Sequence, residues 1–258
     1  MTFKQWIYSD RSVNPSINGA WGLPHIVTLV TCILLIVGVA FAFRNKEERT
    51  RRTVIVTLAV LILVLELARR IINFSGAENP DLHTVLYILL PRPWCAISCW
   101  FTIVSVFVNK KFLYNYTAMT GLLCTLIFFA YPMAGFGHKY IQFENLYSIG
   151  THFLLLASSI SLITLRFTDF RFKTEDGKFS AWKELICLAG TFLYGTMELL
   201  LDLSSDPLYF MPVSDARVVL GLSYPVYLVL YIVFLCVYFS AFYFVQYKAQ
   251  NKTPEIAE

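Results

Sequence analysis

The sequence predicts an all-α membrane protein: a bundle of seven transmembrane helices with its N-terminus outside and its C-terminus inside. Of the 258 residues, 57% are hydrophobic and only 15% are charged, whereas a soluble domain carries roughly a quarter charged residues. A core of this size cannot bury that much apolar surface, but a bilayer can surround it. The length suits about seven spans of roughly 20 residues, which makes residues 1–258 a single polytopic membrane domain.

Seven apolar stretches follow one another along the chain. The predicted spans are Pro24–Phe43, Thr53–Phe74, Thr84–Val108, Leu113–Ala134, Asn145–Leu165, Ala181–Leu203 and Ser223–Tyr247. The third contains Pro91 and Pro93, which break a helix but are tolerated where neighbouring helices satisfy the freed carbonyls. A short outside segment, 1–23, without the apolar region of a signal peptide, and an inside tail, 248–258, complete the domain.

Lys and Arg are distributed over the loops in strict alternation. Loops 44–52, 109–111 and 166–178 are basic, and the loops between them hold at most one Lys or Arg each. This alternation is what the positive-inside rule requires of seven spans. Omitting the proline-broken third span would place two basic loops on opposite sides. The expected location is therefore the cell membrane, crossed several times, and no internal repeat suggests a transporter built from inverted halves.

Ionisable and thiol side chains concentrate in the outer half of the predicted bundle. They are His25, Glu66, Arg69, Arg70, Cys95, His152, Glu198 and Asp202. At 1.5 Å of rise per residue, they lie within roughly 15 Å of the outer surface. Such groups are costly in hydrocarbon unless they face the bundle interior, which makes each a candidate functional residue. Their common depth predicts a polar cavity that opens toward the outer leaflet.

The charged candidates also have structural interpretations. Glu66 and Arg70 are four residues apart and can neutralise each other on one helix face, and Arg69 can extend to lipid headgroups. Glu198 and Asp202 share a helix face in the predicted sixth span. One of them can pair with Arg70 or Arg217, or bind a proton.

The uncharged candidates have structural interpretations as well. Cys95 alone would be a packing residue, His152 a hydrogen-bonded packing residue, and His25 an interfacial residue. In the last span, one helix face carries Tyr224, Tyr227, Tyr231 and Tyr238. This pattern predicts interhelical packing through hydroxyl hydrogen bonds.

Several classes of site are not expected. All six cysteines fall in apolar stretches, unlike a disulfide framework, and no Cys/His spacing suits zinc. We expect neither a metal nor another cofactor. The net charge of +4 is not gathered on a solvent-exposed basic face, which argues against nucleic acid as a partner. Membrane lipids are the expected partners, and the sequence does not determine the oligomeric state.

The segment Leu90-Pro91-Arg92-Pro93-Trp94-Cys95 resembles the LPLHLC signature of the YwaF-like bacterial integral membrane family. Further similarities follow in the family's order: His25, Tyr131-Pro132, the segment FENLYSIGTH ending at His152, and Tyr224-Pro225-Val226-Tyr227. Two features depart from the family. Pro93 stands where the family has a histidine, and the family's Asn-Tyr-Met-Tyr run is absent. Distant eukaryotic relatives are regarded as phospholipid acyltransferases that use a cysteine in this region, so the resemblance implies an acyl-transfer activity.

Two functions therefore compete. In a lipid-active enzyme, Cys95 would be the nucleophile and His152 the general base. Glu66, Glu198 or Asp202 would orient the histidine. Headgroup-binding residues would be Arg70, Arg92 and His25. In a transporter, lipid-binding protein or sensor, the same cavity would bind a ligand without covalent chemistry, and Cys95 would be dispensable.

Overall fold

The computed structural model describes residues 21–130, 136, 143–172, 179–204 and 206–251, and these are mostly helical. The helices are α1 (Leu23–Phe43), α2 (Glu48–Gly76), α3 (Leu82–Leu89), α4 (Trp94–Val108), α5 (Lys111–Ala130), α6 (Phe143–Thr164), α7 (Trp182–Leu200), α8 (Asp215–Leu220) and α9 (Tyr224–Asn251). Each predicted span has helix within its bounds. The short helix α8 was not predicted, and residues 131–134 of the fourth predicted span lie outside the described residues.

The third predicted span is two helices rather than one. Helices α3 and α4 are bent by 62° at the Pro91–Pro93 break, because proline supplies no backbone N–H to the helical ladder. Asp81 caps α3 by accepting a hydrogen bond of 2.8 Å from the backbone N–H of Thr84. Hydrogen bonds from Thr84 lower the pKa of this exposed carboxyl group. The break places Trp94 and Cys95 at the first turn of α4.

Four helices in the described part of the chain are long and apolar enough to cross a membrane: α1, α5, α6 and the Tyr224–Gln246 part of α9. Counting the bent pair α3 and α4 as one span raises this number to five. Helices α2 and α7 are long enough to cross a membrane, but their charged residues make them less apolar than these helices. The first carries Glu66, Arg69 and Arg70 near one end, and the second carries charged residues in both its first and last turns.

Helix α5 lies at the centre of the bundle. Of its apolar stretch 78% is buried, against 11% for α1 and for α9, which lie at the periphery. Its closest neighbour is α6, and the two helices approach at Gly121. An added Cβ at Gly121 would overlap the Ser159 hydroxyl and lie 3.0 Å from Leu155 Cδ1. Small side chains permit this close contact, as in other membrane helix pairs.

Helix α9 is attached to the bundle through tyrosine hydroxyl groups. Tyr227 donates to the Tyr209 carbonyl, Tyr231 to the Leu208 carbonyl at 2.7 Å, and Tyr238 to the Met119 carbonyl at 2.8 Å. Three of the four predicted tyrosines therefore make hydroxyl hydrogen bonds, but only that of Tyr238 is interhelical, because Leu208 and Tyr209 belong to the loop before α8. Leu208 is fully buried, so the loop before α8 folds into the bundle between α7 and α9.

Candidate functional site

Glu66 of α2 is fully buried and forms the centre of a polar network. One carboxylate oxygen makes an ion pair with Arg70, and the other accepts a hydrogen bond from the Tyr147 hydroxyl of α6. Arg70 also donates to the Leu89 carbonyl at 3.0 Å and lies 5.1 Å from the Trp100 ring centroid. The predicted Glu66–Arg70 pair is confirmed. Tyr147 was not predicted, because its proximity depends on how α2 and α6 pack.

Arg69 extends this network toward α4. One of its guanidinium nitrogens donates to the Tyr147 hydroxyl at 3.3 Å, and the guanidinium carbon lies 5.2 Å from the Tyr147 ring centroid. Unlike Arg70, which is buried, Arg69 is half-buried. Its guanidinium makes no other hydrogen bond with a described residue.

Cys95 lies beside this network, in the first turn of α4. The side chain is a free, half-buried thiol, within electrostatic reach of both Glu66 and Arg69. Positive groups and helix N-termini near a thiol favour the reactive thiolate. Arg69 and the start of α4 favour the thiolate of Cys95, whereas burial and the nearby Glu66 carboxylate oppose it. Its neighbour Cys99, one turn further along α4, is buried.

His152 does not join Cys95 in the structure. Its Nδ1 lies 2.7 Å from the Ser148 carbonyl oxygen, and its ring is stacked on Phe128 of α5 with centroids 3.8 Å apart. No hydrogen bond connects His152 to Cys95, both of which belong to the described residues. These contacts are those of a hydrogen-bonded packing residue, the alternative that the sequence left open.

Glu198 of α7 is buried with neither carboxylate oxygen hydrogen-bonded to a described residue. Arg92 lies within electrostatic reach of Glu198. The Arg92 guanidinium donates instead to two backbone carbonyls, those of Leu203 and, at 3.2 Å, Tyr87. Tyr194 interacts electrostatically with Glu198, Arg70 and Arg92. Glu198 therefore lies next to the Glu66 network without bonding to it.

Asp202 is not part of this site. Helix α7 ends at Leu200, and Asp202 follows it in the left-handed backbone region with φ 54° and an exposed side chain. The expectation that Glu198 and Asp202 share a helix face is wrong, because the helix ends between them. Pairing with Arg217 does not occur either, since Arg217 donates to the Pro212 carbonyl at 2.6 Å.

His25, in the first turn of α1, is fully buried. Its Nδ1 accepts a hydrogen bond of 3.3 Å from the Trp21 backbone N–H, and its ring packs at 4.9 Å from Phe136 and stacks at 6.4 Å on Phe129. This packing encloses the imidazole that the sequence assigned to headgroup binding.

A second polar cluster lies at the opposite end of the bundle. The Asn115 amide donates to Glu184 Oε1 at 2.7 Å and to the Asp169 carbonyl at 2.8 Å. Gln246 accepts from the Phe170 backbone N–H at 2.8 Å. All the candidate residues predicted from the sequence lie in the other half. This cluster is formed by four separate segments of the chain, so no short sequence motif predicts it.

Two cavities in the described part of the chain also lie at this second end. One, of about 600 Å³, lies between α1 and α2 above Phe153 and Ala157 of α6. The other, of about 400 Å³, lies between α1 and α6. Neither is lined by a residue of the predicted site, so a cavity around Cys95 stays a prediction.

Long apolar helices that bury a network of charged side chains define a helical membrane protein. The chain belongs to the TMEM164 family, whose sequence model matches residues 20–243. Comparison with curated proteins and with solved structures finds no match.

Proposed function

We propose that the chain crosses the membrane seven times, with the N-terminus outside and the C-terminus inside. The charged residues of α2 and α7 do not oppose this arrangement, because Glu66, Arg70 and Glu198 are buried within the bundle. The exposed surface of α2 is apolar, for example at Val64 and Ile71, which are 56% and 64% exposed. In such helices the apolar side chains face lipid, and the charged side chains face the interior of the bundle.

Loops 44–52 and 109–111 should therefore lie on the inner side and loop 75–83 on the outer side. In a cysteine-free background, single cysteines at Lys46, Lys110 and Glu78 test this topology. A membrane-impermeant maleimide should label only the Glu78 position in intact cells, and all three after permeabilisation. Labelling of the Lys46 or Lys110 position from outside would refute the seven-span arrangement.

We further propose that this membrane protein transfers acyl chains between lipids through Cys95. The observation that supports the proposal is a half-buried thiol at a helix start, beside the Glu66–Tyr147–Arg69 network. The Cys95 sulfur attacks the carbonyl carbon of a lipid ester, the carbon–oxygen bond breaks, and the thiol proton passes to the leaving alcohol. An acceptor hydroxyl then attacks the thioester, the carbon–sulfur bond breaks, and the acceptor's proton returns to sulfur.

The contacts suggest a role for each nearby residue. Glu66 and Tyr147 would carry the proton, and the hydrogen bond from the Tyr147 hydroxyl to the Glu66 carboxylate supports this role. Arg69 suits a lipid phosphate better than Arg70 or Arg92, whose donors are occupied by Glu66 and by backbone carbonyls. His152 would act as base only after breaking its contacts, so the proposal assigns it a secondary role.

Trapping the thioester tests this mechanism. Full-length protein in nanodiscs that contain a phospholipid with a labelled acyl chain should acquire label that hydroxylamine removes. Cys95→Ser should abolish this label and the transfer to a second lipid, whereas Cys236→Ser, which removes an exposed thiol from α9, should retain both. Glu66→Gln should slow transfer by roughly a hundredfold, as expected for loss of a general base. A small effect of His152→Ala would confirm its secondary role.

The second candidate function is lipid binding or transport without covalent chemistry. The two cavities beside α1 favour it, since they lie away from Cys95. Unchanged acyl transfer in Cys95→Ser, or no transfer in the wild-type protein, would make this candidate the better one.

A further inference from the structure

The described arginines fall into two groups. Seven have a guanidinium that donates to a carbonyl, carboxylate or hydroxyl oxygen: Arg51, Arg52, Arg69, Arg70, Arg92, Arg171 and Arg217. The side chains of Arg44, Arg49 and Arg166 have no hydrogen bond or ion pair with any described residue. These three are the arginines that line the two cavities beside α1.

Each cavity is lined mostly by apolar residues and has one or two arginines at one end. The groove between α1 and α2 is lined by apolar residues such as Leu35, Val39 and Leu58, with Arg49 and Thr50 at one end. The groove between α1 and α6 is lined by residues such as Ile33 and Leu156, with Arg44 and Arg166 at its end. Among the described residues, no acidic side chain lines either groove. Their occupant should therefore be apolar along most of its length and anionic at one end.

We propose that these grooves bind anionic phospholipids from the leaflet at this end of the bundle. One acyl chain lies against α1, and the phosphate contacts Arg49 in one groove or Arg44 and Arg166 in the other. Helix α1 has 21 residues, about 31 Å at 1.5 Å per residue, which matches the hydrocarbon thickness of roughly 30 Å. Arg44, which directly follows α1, is therefore expected at headgroup level. Volumes of about 600 and 400 Å³ are within the range of small-molecule sites.

This lipid site is separate from the proposed acyl-transfer site. Cys95 and Glu66 line neither groove. Binding should therefore be unchanged in Cys95→Ser, so failure of one proposal does not entail failure of the other.

Native mass spectrometry of the full-length protein in detergent tests the site. Dioleoylphosphatidylglycerol should bind more tightly than dioleoylphosphatidylcholine. Arg49→Gln should weaken phosphatidylglycerol binding at its groove about fivefold, since one basic residue near an anionic headgroup is worth about that factor. The triple variant Arg44→Gln/Arg49→Gln/Arg166→Gln should lose the preference. Lys110→Gln, which removes an exposed charge at the same end outside both grooves, should leave it unchanged.

The apolar part of the site has its own test. Thr57, an exposed residue of α2, lines the larger groove, and Thr57→Phe should fill it and reduce lipid binding. The matched variant Val60→Phe, at a position that is 45% exposed on the same helix and outside the groove, should bind normally. Inorganic phosphate should not raise the thermal midpoint as phosphatidylglycerol does. Equal binding of the two lipids, or an unaltered preference in the triple variant, would overturn the proposal.

Discussion

Replacing Glu66 by leucine is expected to destabilise the protein by about 3–5 kcal/mol, the cost of leaving one member of a buried ion pair without its partner. The carboxylate is fully buried, and it bonds to both Arg70 and Tyr147. Its removal leaves the buried Arg70 guanidinium without its ion-pair partner and the Tyr147 hydroxyl without its hydrogen-bond acceptor. The free energy of unfolding, measured by denaturant titration in mixed micelles, should fall by this amount.

Two further variants separate the buried charge from side-chain size. Glu66→Leu/Arg70→Met replaces both charges by apolar groups of similar size and should recover most of the lost stability, because no unpaired charge remains. Glu78→Leu removes an exposed carboxylate from the loop after α2 and should change stability little. If Glu66→Leu unfolds at the same denaturant concentration as wild type, the network does not hold α2 to α6.

The second large effect is expected at Gly121, where α5 and α6 are in close contact. In Gly121→Ala the new methyl group would overlap the Ser159 hydroxyl and press on Leu155. Overpacking of this kind costs about 1–3 kcal/mol, because the two helices must separate along their contact. The thermal midpoint of purified protein should fall accordingly.

The matched control for this prediction is Gly190→Ala in α7, where an added Cβ meets no atom within 4 Å. That variant should be neutral or slightly stabilising, since alanine is a better helix former than glycine. Gly121→Ala/Ser159→Ala removes the overlapping hydroxyl group and should restore stability if the steric overlap is the cause. Persistent destabilisation in the double variant would show that the cause lies elsewhere.

Local patterns in the sequence were sufficient to predict part of this structure. The Glu66–Arg70 pair follows from four-residue spacing on one helix, and the bend before Cys95 follows from Pro91 and Pro93. The positions of the long helices follow from apolar stretches. In each case the interacting residues are close along the chain.

Contacts between distant segments could not be predicted in this way. Tyr147 meets Glu66 only because α2 packs on α6, and Asn115 meets Glu184 across 69 residues. Apolar periodicity shows that a helix buries one face, but it does not identify the neighbour. Depth alone suggested that Cys95 and His152 would meet, and depth does not specify the direction in which either side chain points.

The attachment of α9 through backbone carbonyls has a consequence for sequence variation. Tyr231 and Tyr227 donate to the main chain of Leu208 and Tyr209 rather than to their side chains. Substitution in the loop leaves those acceptors present, provided that the chain path is kept. The loop can therefore diverge among related proteins except where its side chains are buried, as at Leu208, while the two tyrosines of α9 should tolerate little replacement.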